Sequence, residues 1–381
     1  MKDPFLSDSP PFSTAGTAHT RYRHRLWITA LLFLALSFYP CLLHGKSLFE
    51  SPHGDKTRVL KGCRSCHRGH GTWNTPMLSD EKERFCFRCH GDSFMVQQTR
   101  SQGILSNNTK AADISKEFLK LYRHPVENSG IHQHDETLPE TDPAAPRHAE
   151  CRDCHHHHYV TSSNKSEGIA GITPQGALVT SIQSEYELCF KCHSYSANLP
   201  ADQTNKAEMF KTGNPSYHPV VDAGKNSFVP SLIPPLTEAS IIQCSDCHNN
   251  DDPLGPRGPH GSNHRYLLTR NFSDLDGNES PYQYELCYGC HKRSSILGNE
   301  SFRYHNLHIT TAGASCRTCH NPHGSLLYPH LIDLENLNIM PSNSGRLEYV
   351  DMGEKAGECF LNCHNKEHDP ARYPVPVPAG D

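Results

Sequence analysis

Apolar residues form one long run near the N-terminus, from Leu26 to Leu43, directly behind three arginines. A positively charged segment followed by an apolar segment is typical of an export signal. The run of 18 residues is also just long enough to cross a membrane as a helix. Residues 1–45 are therefore predicted to be either an export signal or an uncleaved N-terminal membrane anchor. Both interpretations place the rest of the chain outside the cytoplasm, in the periplasm, at the outer membrane or outside the cell.

Beyond residue 46 the apolar positions show little periodicity. Only Ser115–Tyr122 has the spacing of a short helix. Hydrophobic residues make up 35% of the chain, and glycine and proline are frequent, with 26 and 28 residues. A large aliphatic core and long amphipathic helices are not expected. The predicted fold is mostly irregular, with short α-helices of a turn or two, little β-structure, and an extended proline-rich tail at 369–381.

Sixteen of the seventeen cysteines occur in eight pairs, and a histidine directly follows every pair. Seven pairs have two intervening residues, and the last has three. The pairs are Cys63 and Cys66, Cys86 and Cys89, Cys151 and Cys154, Cys189 and Cys192, Cys244 and Cys247, Cys287 and Cys290, Cys316 and Cys319, and Cys359 and Cys363. Cys-x-x-Cys-His is the attachment motif of c-type haem, in which two thiols add to porphyrin vinyl groups and the histidine ligates the iron.

Zinc sites, redox-active pairs and disulfide frameworks also use paired cysteines. None of them explains a histidine after all eight pairs. The sequence therefore predicts eight covalently attached haem c groups, whose porphyrins supply the apolar bulk that the chain lacks. The haem-free chain is not expected to fold, as in small proteins that fold only around their metal.

The motifs repeat as four two-haem modules. Each module has an upstream histidine, a first motif, a histidine after it, and a second motif. The predicted modules span residues 46–100, 115–200, 210–295 and 300–368.

The histidine that follows each cysteine pair is the predicted proximal iron ligand. These are His67, His90, His155, His193, His248, His291, His320 and His364. The distal candidates are the histidines that recur before and after the first motif of each module. They are His53, His70, His124, His158, His218, His260, His308 and His323.

Three choices within the distal set depend on the flanking residues and on the number of residues from the proximal histidine. The phrase Pro-His-Gly-Ser favours His260 over His264, and an offset of three residues favours His158 over His156 and His157, which fit a solvated polar tract. The choice between His305 and His308 stays open.

The paired motifs and the phrase from Cys319 to Ser325 resemble the doubled Cys-x-x-Cys-His family of multihaem c-type cytochromes. This family includes respiratory cytochromes that sit in outer-membrane porins or act outside the cell. The resemblance implies that the histidine of the Pro-His-Gly phrase is a distal ligand to another haem. That role carries over to His323 and His260, and to His70 and His158 despite their different flanking residues. The three-residue spacer at Cys359 departs from the family pattern.

Electron transfer along bis-histidine haems is the function that these residues favour. Methionine ligation raises haem potential, but the chain has only six methionines, so haems of low potential are expected. The expected partners are other redox proteins, such as periplasmic or outer-membrane cytochromes and a porin. A net charge of -5 without a long basic run gives no reason to expect a nucleic-acid partner.

Two alternatives stay open. An octahaem oxidoreductase acting on nitrogen or sulfur compounds would need one haem with an open distal site. A subunit of a conductive filament is compatible with the same residues. Because all eight motifs end in histidine and distal candidates are plentiful, the sequence favours the electron carrier, which has no catalytic residues.

Overall fold

Eight stretches of the chain are described by the computed structural model, and all of them belong to one unit, Ser47–Asp381. The stretches are 50–69, 77–79, 82–126, 138–145, 148–201, 203–336, 338–353 and 355–374. The predicted N-terminal segment, His70 and the end of the proline-rich tail lie outside the described residues.

The helices are short, and most of the cysteine motifs lie on them. The α-helices are Lys82–His90, Ser93–Ser101, Cys151–Cys154, Glu185–His193, Lys206–Met209, Cys244–Cys247, Glu285–Tyr288, Arg293–Leu297 and Cys316–Cys319. Three 3-10 turns, Gly62–Ser65, Ser115–Leu119 and Arg265–Leu267, and a π-helical turn, Leu307–Thr311, complete the helical elements of the described residues. The chain is mostly irregular with short helices, as the sequence predicted, and it also contains small sheets.

Ten strands form the small sheets. They are β1 (Tyr122–Arg123), β2 (Gly171–Ile172), β3 (Leu178–Val179), β4 (Ser216–Tyr217), β5 (Gly261–Ser262), β6 (Gly324–Ser325), β7 (Ile339–Met340), β8 (Glu348–Asp351), β9 (Gly357–Cys363) and β10 (Lys366–Tyr373). Three antiparallel pairs join β1 to β5, β2 to β3, and β4 to β6. In the fourth sheet β9 pairs antiparallel with β7, β8 and β10.

The C-terminal sheet differs from the sequence prediction of little β-structure and an extended tail from residue 369. Strand β10 runs to Tyr373, and its register with β9 shifts between His368 and Ala371. Pro370 lies in this irregularity, where a missing backbone N–H does not break the ladder. The Tyr373 hydroxyl donates to the Tyr349 hydroxyl at 3.2 Å, which fastens β10 across the sheet to β8.

Buried apolar side chains form two small clusters in the described part of the chain. One contains Ile172, Phe190, Ala207, Phe210, Tyr217 and Val220. The other contains Leu334, Ile339, Tyr349, Leu361 and Tyr373. Across the described ranges, no helix has the length and apolar character needed to cross a membrane.

Candidate metal centres

A connected cavity of about 3330 Å³ extends through the described unit, and both cysteines of all eight motifs line it. The sixteen described cysteines are free thiols and form no disulfide. The motif histidines line the same cavity, together with histidines from outside the motifs. The cysteines predicted to attach porphyrin and the histidines predicted to ligate iron therefore face one common space.

A single helical turn presents the two sulfurs of a regular motif. Residues three apart are neighbours on a helix surface, so Cys151 and Cys154 lie on one side of their turn. The Asp153 carboxylate accepts a hydrogen bond from the Glu150 backbone N–H at 2.7 Å, which caps the turn. The next residue, His155, leaves the helix with an extended backbone. The sequence Cys-x-x-Cys-His thus places two sulfurs and an imidazole around one site.

Several of the sulfurs lie in surroundings that disfavour their charged form. Burial raises the pKa of Cys154 to about 11 and the pKa values of Cys192 and Cys247 to about 12. A zinc site or a redox-active thiol needs the thiolate. These sites fit a neutral sulfur, which is what a thioether to haem contains.

Seven imidazole pairs lie across the cavity, and each joins a motif histidine to a histidine from elsewhere. The ring centres are 6.1 Å apart for His67 with His158, His90 with His53, His155 with His260, and His248 with His323. They are 6.2 Å apart for His193 with His124, 6.3 Å for His320 with His305, and 6.5 Å for His291 with His218.

These separations suit one iron between two imidazoles. Two metal–nitrogen bonds of about 2.0–2.1 Å, with roughly 1.1 Å more from each nitrogen to its ring centre, put the ring centres about 6.2 Å apart. Within the described ranges, no cluster of three or more histidine, cysteine or acidic side chains is arranged to hold a metal ion. The residues present fit haem iron with two axial histidines.

Hydrogen bonds fix which nitrogen of the paired imidazoles faces the cavity. Nδ1 of His155 donates to the Lys165 carbonyl oxygen at 2.8 Å, and Nδ1 of His320 donates to the His330 carbonyl oxygen at 3.0 Å. A carbonyl can only accept, so the lone pair is on Nε2, which becomes the ligating atom. Burial lowers the pKa of His320 to about 4, which keeps its imidazole in the neutral form that binds metal.

A repeated contact, here called the ligand clamp, joins two distal histidines three times. In each clamp, Nδ1 of one histidine donates to the backbone carbonyl of the residue directly before the other. The pairs are His53 with His158, His124 with His260, and His218 with His323. The accepting carbonyls belong to His157, Pro259 and Pro322. In the second and third clamps, the strand pairs β1–β5 and β4–β6 lie beside the histidines.

The clamps give the recurring sequence phrases a physical reason. In Pro-His-Gly-Ser, the proline carbonyl accepts the clamp hydrogen bond and Gly-Ser forms the short strand. A Cβ at Gly261 would overlap the Glu117 carbonyl oxygen, and one at Gly324 would overlap the Met209 carbonyl oxygen. Only glycine permits these close backbone approaches.

The clamps also connect successive modules of those predicted from the sequence. Histidines after the first motif of modules two, three and four face the first motif histidine of the preceding module: His158 faces His67, His260 faces His155, and His323 faces His248. Upstream histidines of modules one to three instead face the second motif histidine of their own module. Each clamp therefore holds the distal ligands of both sites in one module.

The fourth module is arranged differently from the sequence expectation. His305 faces His320, and the candidate His308 faces His368, a residue that was not among the predicted ligands. Nε2 of the predicted proximal ligand His364 is 3.0 Å from the Asp276 carboxylate. His156 and His264 are absent from the described cavity walls, whereas His157 lines the cavity and supplies a clamp carbonyl.

Cysteine pairs that share a cavity with facing imidazoles define a protein of the multihaem c-type cytochrome class. The model of the Doubled CXXCH motif family matches residues 57–94 and 234–295, so these segments carry the motif of that family. The resemblance stated from the sequence is thereby confirmed. The family implies covalent haem c, electron transfer and an extracytoplasmic location. Comparison with curated proteins found no match, and comparison with solved structures found none either.

Proposed function

We propose that the protein is an octahaem c-type cytochrome that conducts electrons along a chain of bis-histidine, low-potential haems in extracytoplasmic respiration. The observation that carries this proposal is the set of imidazole pairs, with ring centres 6.1–6.5 Å apart, facing the cavity that the motif cysteines line. Two axial histidines fill the coordination of a haem iron, which suits electron transfer rather than substrate binding.

Contacts between cysteines of different modules support an order of haems that follows the chain. Three pairs of sulfurs are close neighbours, and each pair joins the second motif of one predicted module to the first motif of the next. They are Cys86 with Cys151, Cys189 with Cys244, and Cys287 with Cys316.

Within each module the two motifs also have neighbouring sulfurs. Burial raises the pKa of Cys66 to about 11, and the nearby Cys89 adds to the shift. The same proximity links Cys192 with Cys154, Cys247 with Cys290, and Cys319 with Cys359 and Cys363. Every motif thus has a cysteine beside a cysteine of the next motif, and electrons would pass from site one to site eight in order.

The residues that line the cavity favour haems of low reduction potential. In the described part of the chain they contain no methionine, the axial ligand that raises haem potential in cytochromes c. Low-potential haems suit exchange with other redox proteins. We accordingly propose periplasmic or outer-membrane cytochromes as partners, including one held in a porin, and a final location in the periplasm, at the outer membrane or outside the cell.

Intact mass tests the haem count. The purified holoprotein should exceed its processed polypeptide by eight haems, because all sixteen paired cysteines face the cavity. Replacing Cys359 and Cys363 together by alanine should remove one haem, and the matched replacement of Cys316 and Cys319 should also remove one. The octahaem assignment would be refuted if the unmodified protein carried only seven haems and the protein with Cys359 and Cys363 replaced also carried seven.

A further inference from the structure

We infer that the iron of the eighth haem is held by His308 and His368, and that His364, the histidine directly after the cysteine pair, is not its ligand. This inference rests on the proposed function, since it concerns the eighth of the proposed haems. It assigns a ligand that the attachment motif does not contain.

The first observation is an eighth imidazole pair. The ring centres of His308 and His368 are 6.2 Å apart, within the range of the other seven pairs. Both histidines and both cysteines line the cavity, and His368 lies opposite Leu361, between Cys359 and Cys363 on strand β9. An iron between these two rings would thus lie next to the sulfurs that attach its porphyrin.

The second observation is the direction of the two imidazoles. Nδ1 of His308 donates to the Tyr304 carbonyl oxygen at 2.8 Å, and Nδ1 of His368 donates to the Lys366 carbonyl oxygen at 3.1 Å. Both rings therefore keep the Nε2 lone pair for a metal, as His155 and His320 do.

The third observation is that His364 already has a polar partner outside the haem site. Its side chain is 44% exposed, and its Nε2, the nitrogen that ligates iron in the regular sites, is 3.0 Å from Asp276 Oδ2. The same carboxyl group accepts hydrogen bonds from the Ser315 N–H and the Thr318 hydroxyl, at the start of the seventh motif's helix. His364 thus ties the eighth motif to the seventh.

The local backbone explains why the motif histidine is displaced. The eighth cysteine pair lies on strand β9, whereas the regular motifs lie on helical turns. His364 and Asn365 form the two-residue turn between β9 and β10, with positive φ values of 50° and 60°, as a tight hairpin turn requires. The chain reverses at His364, and its imidazole points to the Asp276 carboxylate.

The three-residue spacer suits this strand. Side chains alternate between the faces of a strand, so Cys359 and Cys363, four residues apart, share a face with Leu361. His368 is the register partner of Leu361 on β10, which places it on that face between the two cysteines. The two cysteines therefore lie on either side of His368 along the strand, instead of on one helical turn.

The module pattern gives an independent argument. In modules one to three, the upstream histidine faces the second site of its own module: His53 faces His90, His124 faces His193, and His218 faces His291. His308 lies upstream of the first motif of module four, and by this pattern it should face the second site of that module, the eighth iron. His305 then serves the seventh site, where its ring faces that of His320.

The test compares His368→Ala with His364→Ala in the full-length holoprotein, with haem number read from intact mass and spin state from low-temperature EPR. His368→Ala should keep eight haems and convert one from low spin to high spin, and added imidazole should restore the low-spin signal. His308→Ala should have the same effect. His364→Ala, changed in the same hairpin, should create no high-spin haem.

Eight low-spin haems in His368→Ala, or a new high-spin haem in His364→Ala, would overturn the assignment. If His368→Ala loses the eighth haem, His368→Met decides: a raised potential at one haem supports the assignment, and an unchanged redox titration overturns it. Failure of the proposed function is distinguishable, because it would appear in the unmodified protein as fewer than eight haems or as a high-spin signal.

Discussion

Produced without haem attachment, the chain is expected to be unfolded. The two apolar clusters of the described residues are small, and the cavity of about 3330 Å³ between the chain segments is lined by residues that would contact porphyrin. Porphyrin burial would therefore replace an ordinary apolar core, and the free energy of haem binding would be most of the free energy of folding. Far-UV circular dichroism and amide hydrogen exchange of the haem-free chain measure this directly.

The holoprotein, studied in the same buffer, is the control for this experiment. It should retain its secondary structure and protect its backbone amides. A cooperative thermal transition in the haem-free chain would contradict the account, because it would show that the polypeptide has a sufficient core of its own.

Replacing His323 by methionine is expected to raise the potential of a single haem. His323 faces His248 with nearly parallel rings, 2° apart, and is half-buried. Methionine in its place would turn a bis-histidine iron into a histidine–methionine iron, which has a higher potential. The rise should lie within the roughly 0.8 V over which axial ligands set haem potential, and a spectroelectrochemical titration measures it.

His264→Met is the matched control for this substitution. His264 follows the Pro-His-Gly phrase of module three but is not among the cavity-lining residues, so its replacement should leave the titration unchanged. An unchanged titration of His323→Met would remove His323 from the ligands.

Much of the candidate site could be predicted because haem attachment is local chemistry. The cysteine pairs and the following histidines are adjacent in sequence, and repetition indicated six distal candidates that the structure places opposite motif histidines. Which iron each one faces could not be predicted, because it depends on contacts between modules. His158 faces His67 across a module boundary, for example, and only the clamp at His53 explains why.

The fold was predictable in its general character and not at its C-terminus. Low hydrophobic content and frequent glycine and proline indicated short elements. The prolines after residue 369 suggested an extended tail, whereas strand β10 depends on the contact between Tyr373 and Tyr349 and on an irregularity that accommodates Pro370. Because the hairpin was not foreseen, His368 was missed, although its place opposite Leu361 follows directly from the strand register.

The most direct test of the central claim is the low-temperature EPR spectrum of the oxidised, purified holoprotein. If every iron has two axial histidines, all eight haems should be low spin, and the spectrum should contain no stoichiometric high-spin signal. A high-spin signal equivalent to one haem would contradict the account, since it would reveal an open iron. That iron should then be tested for turnover of nitrite, hydroxylamine or sulfur oxyanions.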